Sequence, residues 1–160
     1  MTQELVWKKY KQSREAMKKL PKLHNAEETL EIYRRMYSYL KRFHNDLPKP
    51  RKNMFRIAND KCRKRFNARG IAHSHPDRKQ VCLSKNILER QADATDILGD
   101  DNWTIHSGTM QIAELMTHEI THWHIKGSHN KKFYERQKRL FLTLLNGIIS
   151  GKYYSESPLV

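Results

Sequence analysis

The run His118-Glu119-Ile120-Thr121-His122 constrains this chain more than any other five residues. Positions four apart share one face of an α-helix, so the two imidazoles reach a single Zn²⁺, with Glu119 beside it, only if the segment is helical. The flanking residues meet that demand. Ile112, Ala113, Met116 and Ile120 recur at the helical period, which predicts a helix with one side buried. Gly127 is expected to close that helix in the left-handed conformation, and the chain then turns back so that His129 supplies a third ligand. His124 is the nearer rival in sequence. It stands two residues past His122, about 200° around the helix, and is expected to point away from the ion.

The ligand count sets the expected chemistry. Three neutral imidazoles leave a fourth position on Zn²⁺ for water, whose pKa falls to about 7. Glu119, adjacent to the ion without ligating it, is the expected general base and later the acid for the leaving group. Tyr134, Tyr153 and Tyr154 are all candidates to steady the developing oxyanion, and the sequence does not choose among them.

The same residues resemble a known family. His118-Glu119-x-x-His122, a short connection and His129-x-x-x-Phe133 are similar to the SprT-like zinc metalloproteases, whose signature is H-E-x-x-H followed by H-G-x-x-F. Upstream, Phe66-Asn67-Ala68-Arg69-Gly70 and Val81-Cys82-Leu83-Ser84 resemble that family's N-x-R-x-G strand and the strand after it. The resemblance covers residues 53 to 145. Asn130 stands where the family has Gly, and no cysteine follows Cys82 to build the zinc ribbon that many relatives carry. The resemblance implies a mainly helical, zincin-like α+β domain with a small antiparallel sheet. It also implies a protein substrate, relatives that cleave DNA-bound proteins, and a substrate backbone paired along Val81 to Ser84.

Charge divides the chain in two. Residues 1 to 70 hold 20 Lys and Arg against 7 Asp and Glu, a balance of +13, while the rest contributes +1 to the total of +14. Arg51, Lys52, Arg56, Lys61, Arg63, Lys64 and Arg65 form the densest stretch. Clustering of this kind is expected of a sequence-independent DNA footprint, because each phosphate neutralised releases counterions. A solvated basic face that serves solubility is the alternative.

Hydropathy and breakers give the organisation. Residues 3 to 20 are expected to form a helix ended by Pro21, and Asn25 with Glu28 reads as a capping pair for a second helix burying Leu30, Tyr33, Tyr37 and Leu40. Leu47-Pro48-Lys49-Pro50 breaks this basic N-terminal helical pair (1–47) from a metalloprotease-like core (51–146), and a tail (147–160) follows. Within the core, residues 54 to 63 are expected to be helical, Arg65 to Ala72 a strand, His73 to Lys79 a turn and Gln80 to Ser84 a second strand. His73 and His75, at alternate positions that could share a strand face as ligands, are read instead as an exposed pair at that turn, Cys62 and Cys82 as ordinary reduced thiols, and residues 94 to 109 as a loop. A final helix carrying Phe133, Leu140, Phe141, Leu144 and Leu145 is expected to cover the motif helix, with a loose end from Lys152.

No apolar run reaches membrane length and Met1 to Glu4 opens no signal-peptide segment, so a cytoplasmic location is expected. Two functions fit: a zinc endopeptidase acting on DNA-associated protein, or a non-catalytic, zinc-stabilised nucleic-acid-binding or structural protein. Glu119 favours the first, because a structural site needs ligands but no base.

Overall fold

The computed structural model describes residues 26–59, 62, 72–96, 107–127 and 129–156, together with Glu4 and Lys8. The expected first helix, the Asn25 cap and the Arg65 to Ile71 part of the first expected strand lie outside these residues.

Helix α1, Ala26–Lys41, follows from its pattern: Leu30, Tyr33, Met36, Tyr37 and Leu40 are buried one turn apart. Glu27 and Glu28 in its first turn and Lys41 in its last complement the helix dipole. A single 3₁₀ turn, Lys52–Met54, leads into strand β1, Phe55–Ile57. The helix expected over 54 to 63 is replaced by strand at Phe55–Ile57; residues 60, 61 and 63 lie outside the described residues. Met54-Phe55 and Ile57-Ala58 make a short apolar run that periodicity cannot assign, and packing of Phe55 against Tyr33 and Tyr37 (ring centroids 5.7 and 5.8 Å) settles it as a strand.

Strands β2, Ala72–His75, and β3, Gln80–Leu83, form a hairpin through the turn at 76–79, where Lys79 adopts a φ of 50°. The sheet is small, as expected, but mixed: β3 is central, parallel to β1 and antiparallel to β2. The register sorts its two faces. Phe55, Ile57, Ala72, Val81 and Leu83 face the main core, while Arg56, His73, His75 and Cys82 share the other face. Val81, Cys82 and Leu83 are paired on both sides, so these residues offer a substrate backbone no free edge.

Helix α2, Lys85–Asp96, begins where the Ser84 hydroxyl accepts from the Ile87 N–H at 3.1 Å. It is tied to α1 by Thr29 Oγ1 donating to the Leu88 carbonyl at 2.9 Å and by Tyr33 Oη donating to Gln91 Oε1 at 2.7 Å. Helix α3, Ser107–Thr121, buries Ile112, Ala113, Met116 and Ile120, the expected face. Helix α4, Lys131–Ser150, packs across it with Phe133, Leu140, Leu144 and Ile148 buried. Gly147 lets α4 approach α1, since a Cβ there would stand 2.6 Å from Tyr39 Oη. Beyond Gly151, at φ 79°, Lys152–Glu156 form a short helix α5 with Tyr153 and Tyr154 buried in the same core as α1. That part of the expected loose end is therefore packed. The protein is a mainly helical α+β fold, and among the described residues no helix is long and apolar enough to cross a membrane.

Candidate metal centre

The site begins with the way α3 ends. Its last α-helical residue is Thr121, and the chain then tightens, with His122 N–H donating to Glu119 O at 3.2 Å and Trp123 N–H to Ile120 O at 3.0 Å. His118 thus sits in the last turn of the helix and His122 one residue past it. Gly127 has the left-handed φ expected of it, 98°, but several residues beyond the helix end, in the connection to α4. Asn130 caps α4 by accepting from the Phe133 N–H at 3.0 Å, which gives a physical reason for Asn at that position.

This connection returns His129 to the motif. The ligand atoms of His118, His122 and His129 all lie within 4.8 Å of one another, and His129 Nε2 is 3.2 Å from His122 Nε2. Phe133, fully buried, packs against all three rings in edge-on or tilted contacts, with centroids 4.9, 4.7 and 4.7 Å away. Gln137 Oε1 lies 3.2 Å from His118 Nδ1. An amide oxygen only accepts, so the His118 proton is held on Nδ1 and the Nε2 lone pair is left for an ion. Burial, reinforced by the two neighbouring imidazoles, pushes the His122 pKa down to about 4, which keeps that ring neutral as ligation requires. Three imidazole nitrogens converging in this way suit a borderline-soft ion such as Zn²⁺.

Glu119 is 7% exposed, and burial alone pushes its carboxyl up to about 7. It borders a cleft of ≈ 460 Å³ whose walls include Ile87, Gln91, Gln111, Glu114, Leu115 and Gln137. Gln91 and Gln137 were missed in the sequence. The signal for Gln137 was its place on α4 one turn after Phe133; Gln91 had none, because α2 carries too few apolar residues to show a period. His124 is exposed and does not join the cluster. Of the three candidate tyrosines, Tyr153 and Tyr154 are buried with the α1 side chains, while Tyr134 is exposed with its ring centroid 6.2 Å from that of His129.

The basic residues fare differently. Arg51 and Lys52 are exposed, and Arg51 donates to the Arg78 and Lys79 carbonyls at 2.5 and 3.1 Å. Arg56 is half-buried and directs its guanidinium at Cys82 and Cys62. Lys61, Arg63, Lys64 and Arg65 lie outside the described residues. His75, read as exposed in the sequence, is 7% exposed, and His73 is half-buried beside it. Strand β2 runs through both, one position short of the turn, and folds them over Cys82.

No family model, curated protein or solved structure matched this chain in the three comparisons.

Proposed function

We propose that this chain is a zinc-dependent metalloendopeptidase acting on proteins associated with DNA. The observation that carries the reading is the convergence of His118, His122 and His129 within 4.8 Å of one another beside a buried Glu119. When bound there, Zn²⁺ would leave a fourth position for water, lower that water's pKa to about 7 and polarise the scissile carbonyl. Glu119, its pKa raised to about 7, takes up the proton of the attacking water on its carboxylate and passes it to the departing amine nitrogen. Gln137 fixes the tautomer and tilt of His118. Phe133 excludes water from the inner side of the three rings. Tyr134 is the tyrosine whose position near His129 best supports a role in steadying the oxyanion.

The resemblance to SprT-like proteases and the basic excess of residues 1 to 70 support DNA-associated protein as the substrate class. The test is cleavage of a DNA-binding protein, with and without DNA, by the wild type and by Glu119→Gln. We expect the variant to keep its zinc and its fold while cleavage falls by about 10²- to 10⁴-fold, the usual worth of a positioned acid–base group. A wild type that cleaves nothing under either condition leaves the non-catalytic, zinc-stabilised binding protein as the reading.

A further inference from the structure

We infer that Cys62, His73, His75 and Cys82 form a second, closed Zn²⁺ site that staples the outer face of the sheet. This inference is independent of the proposed activity and shares no metal ligand with it.

The site is assembled by strand pairing. His73 and Cys82 are direct partners across β2 and β3, and His75 lies two residues along β2 on the same face. Cys62 comes from the segment after β1 and closes the fourth side. One ligand atom from each of the four lies within 4.8 Å of the others, and Cys62, His75 and Cys82 are buried.

The separations suit an ion. Two sulfurs bound to a tetrahedral Zn²⁺ stand about 3.8 Å apart, and a sulfur and an imidazole nitrogen about 3.5 Å apart. Here Cys62 Sγ is 3.8 Å from Cys82 Sγ and 3.5 Å from His75 Nε2. The sulfurs are much too far apart for a disulfide, whose bond is about 2.05 Å. His73 Nε2 and His75 Nε2 are 2.8 Å apart. A tetrahedral ion would hold them at about 3.3 Å, a change within reach of small ring rotations.

Charge and packing agree. Arg56 donates from Nε to Cys82 Sγ at 3.2 Å and from Nη2 to Cys62 Sγ at 3.7 Å, so both sulfurs act as acceptors facing one cation. A guanidinium directed at both sulfurs suits a pair of metal-bound thiolates. Among the described residues, the apolar cluster on this face consists of Ala58, Cys62 and Cys82. A structural metal would add a cross-link to this small cluster. Two thiolates and two imidazoles complete a tetrahedral shell, so the site keeps no open position for water.

The experiment uses the full chain and its metal content. Wild type should carry two Zn²⁺ per chain, and His118→Ala/His122→Ala should keep one. Loading that variant with Co²⁺ should give the sulfur-to-cobalt charge-transfer absorption that only cysteine ligation produces. Cys62→Ser/Cys82→Ser should lose that absorption and one equivalent of zinc. If the cysteine variant fails to fold, the His118→Ala/His122→Ala spectrum decides alone. A wild type with one zinc and a histidine variant with none would overturn the inference. So would Co²⁺ binding without sulfur absorption, or an intact mass showing the two cysteines joined as a disulfide.

Discussion

In the helical cluster the donors come from the last turn of α3 and the connection beyond it, His129 stays exposed, and a buried carboxylate stands alongside. In the sheet cluster the donors come from paired strands and the segment after β1, three of the four are buried, and a guanidinium stands alongside. The neighbours show what each arrangement suits. A carboxylate poised near neutral pH is of use to a reaction and does nothing for ligand thiolates, whereas an arginine over two sulfurs stabilises charge and transfers no proton at neutral pH. An exposed third ligand leaves room for a substrate; a shell of four protein ligands leaves none.

The sharpest way to break that comparison is to remove one ligand from the helical cluster. His129→Ala should lose one of the two zinc equivalents and abolish cleavage, while the cobalt–sulfur absorption of the sheet cluster stays intact. His124→Ala should keep both ions, since its ring is exposed outside the cluster. Metal analysis of the two variants side by side checks both statements. Loss of zinc in His124→Ala would reassign the third ligand.

A smaller effect is expected one shell out. Gln137→Ala removes the acceptor that holds the His118 proton on Nδ1. Partners of this kind are worth about 10- to 100-fold in metal affinity, so zinc competition with a chelator should show a loss of that size at the helical cluster only. An unchanged affinity would mean that Phe133 packing alone orients the ring.

The two clusters were unequally legible in the sequence, for a physical reason. A helix writes its ligand face into local spacing, so His118, His122 and the buried stripe through Ile112, Met116 and Ile120 could be read directly, as could Leu30, Tyr33, Tyr37 and Leu40 on α1. The sheet cluster depends on which strands pair and in what register. Cys62, His73, His75 and Cys82 have no recognised finger spacing, and His73 with His75 looked like turn residues until β2 ran through them. The clue available was two histidines at alternate positions facing a cysteine across a short turn. Strand β1 lies where a helix is expected, and the expected loop over 94 to 109 gives way to helix at 94–96 and 107–109, because β1 is too short and α2 too poor in apolar residues to show a period. Gly147, where the tail is expected to begin, lies inside α4: a residue that weakens isolated helices fits there because Tyr39 occupies the space of a side chain.

Arg63, Lys64 and Arg65 lie in sequence between Cys62 and His73, two donors of the sheet cluster. Neutralising Arg63, Lys64 and Arg65 together should lower the slope of log affinity for DNA against log salt by up to ~3, since each phosphate contact contributes about 0.9 for duplex DNA. The loss should be equal for all sequences, and both zinc ions should remain. An unchanged slope would assign this basic face to solubility.

The smallest expected effect tests the wall between α1 and the helical cluster. Tyr33 is fully buried, and its hydroxyl donates to Gln91 Oε1 at 2.7 Å beside the cleft that Glu119 borders. Burial raises its pKa far above the ordinary tyrosine value, with the Glu119 carboxylate adding to the shift, so the hydroxyl stays protonated and serves only as a donor. Tyr33→Phe keeps the ring against Phe55 and removes one buried hydrogen bond, which should cost about 1 kcal/mol in a denaturant titration. Zinc content at both clusters should not change, because Tyr33 touches no ligand. If cleavage falls by much more than the roughly fivefold that 1 kcal/mol represents, while stability falls by no more than this, Gln91 acts on the substrate and the Tyr33 hydroxyl positions it.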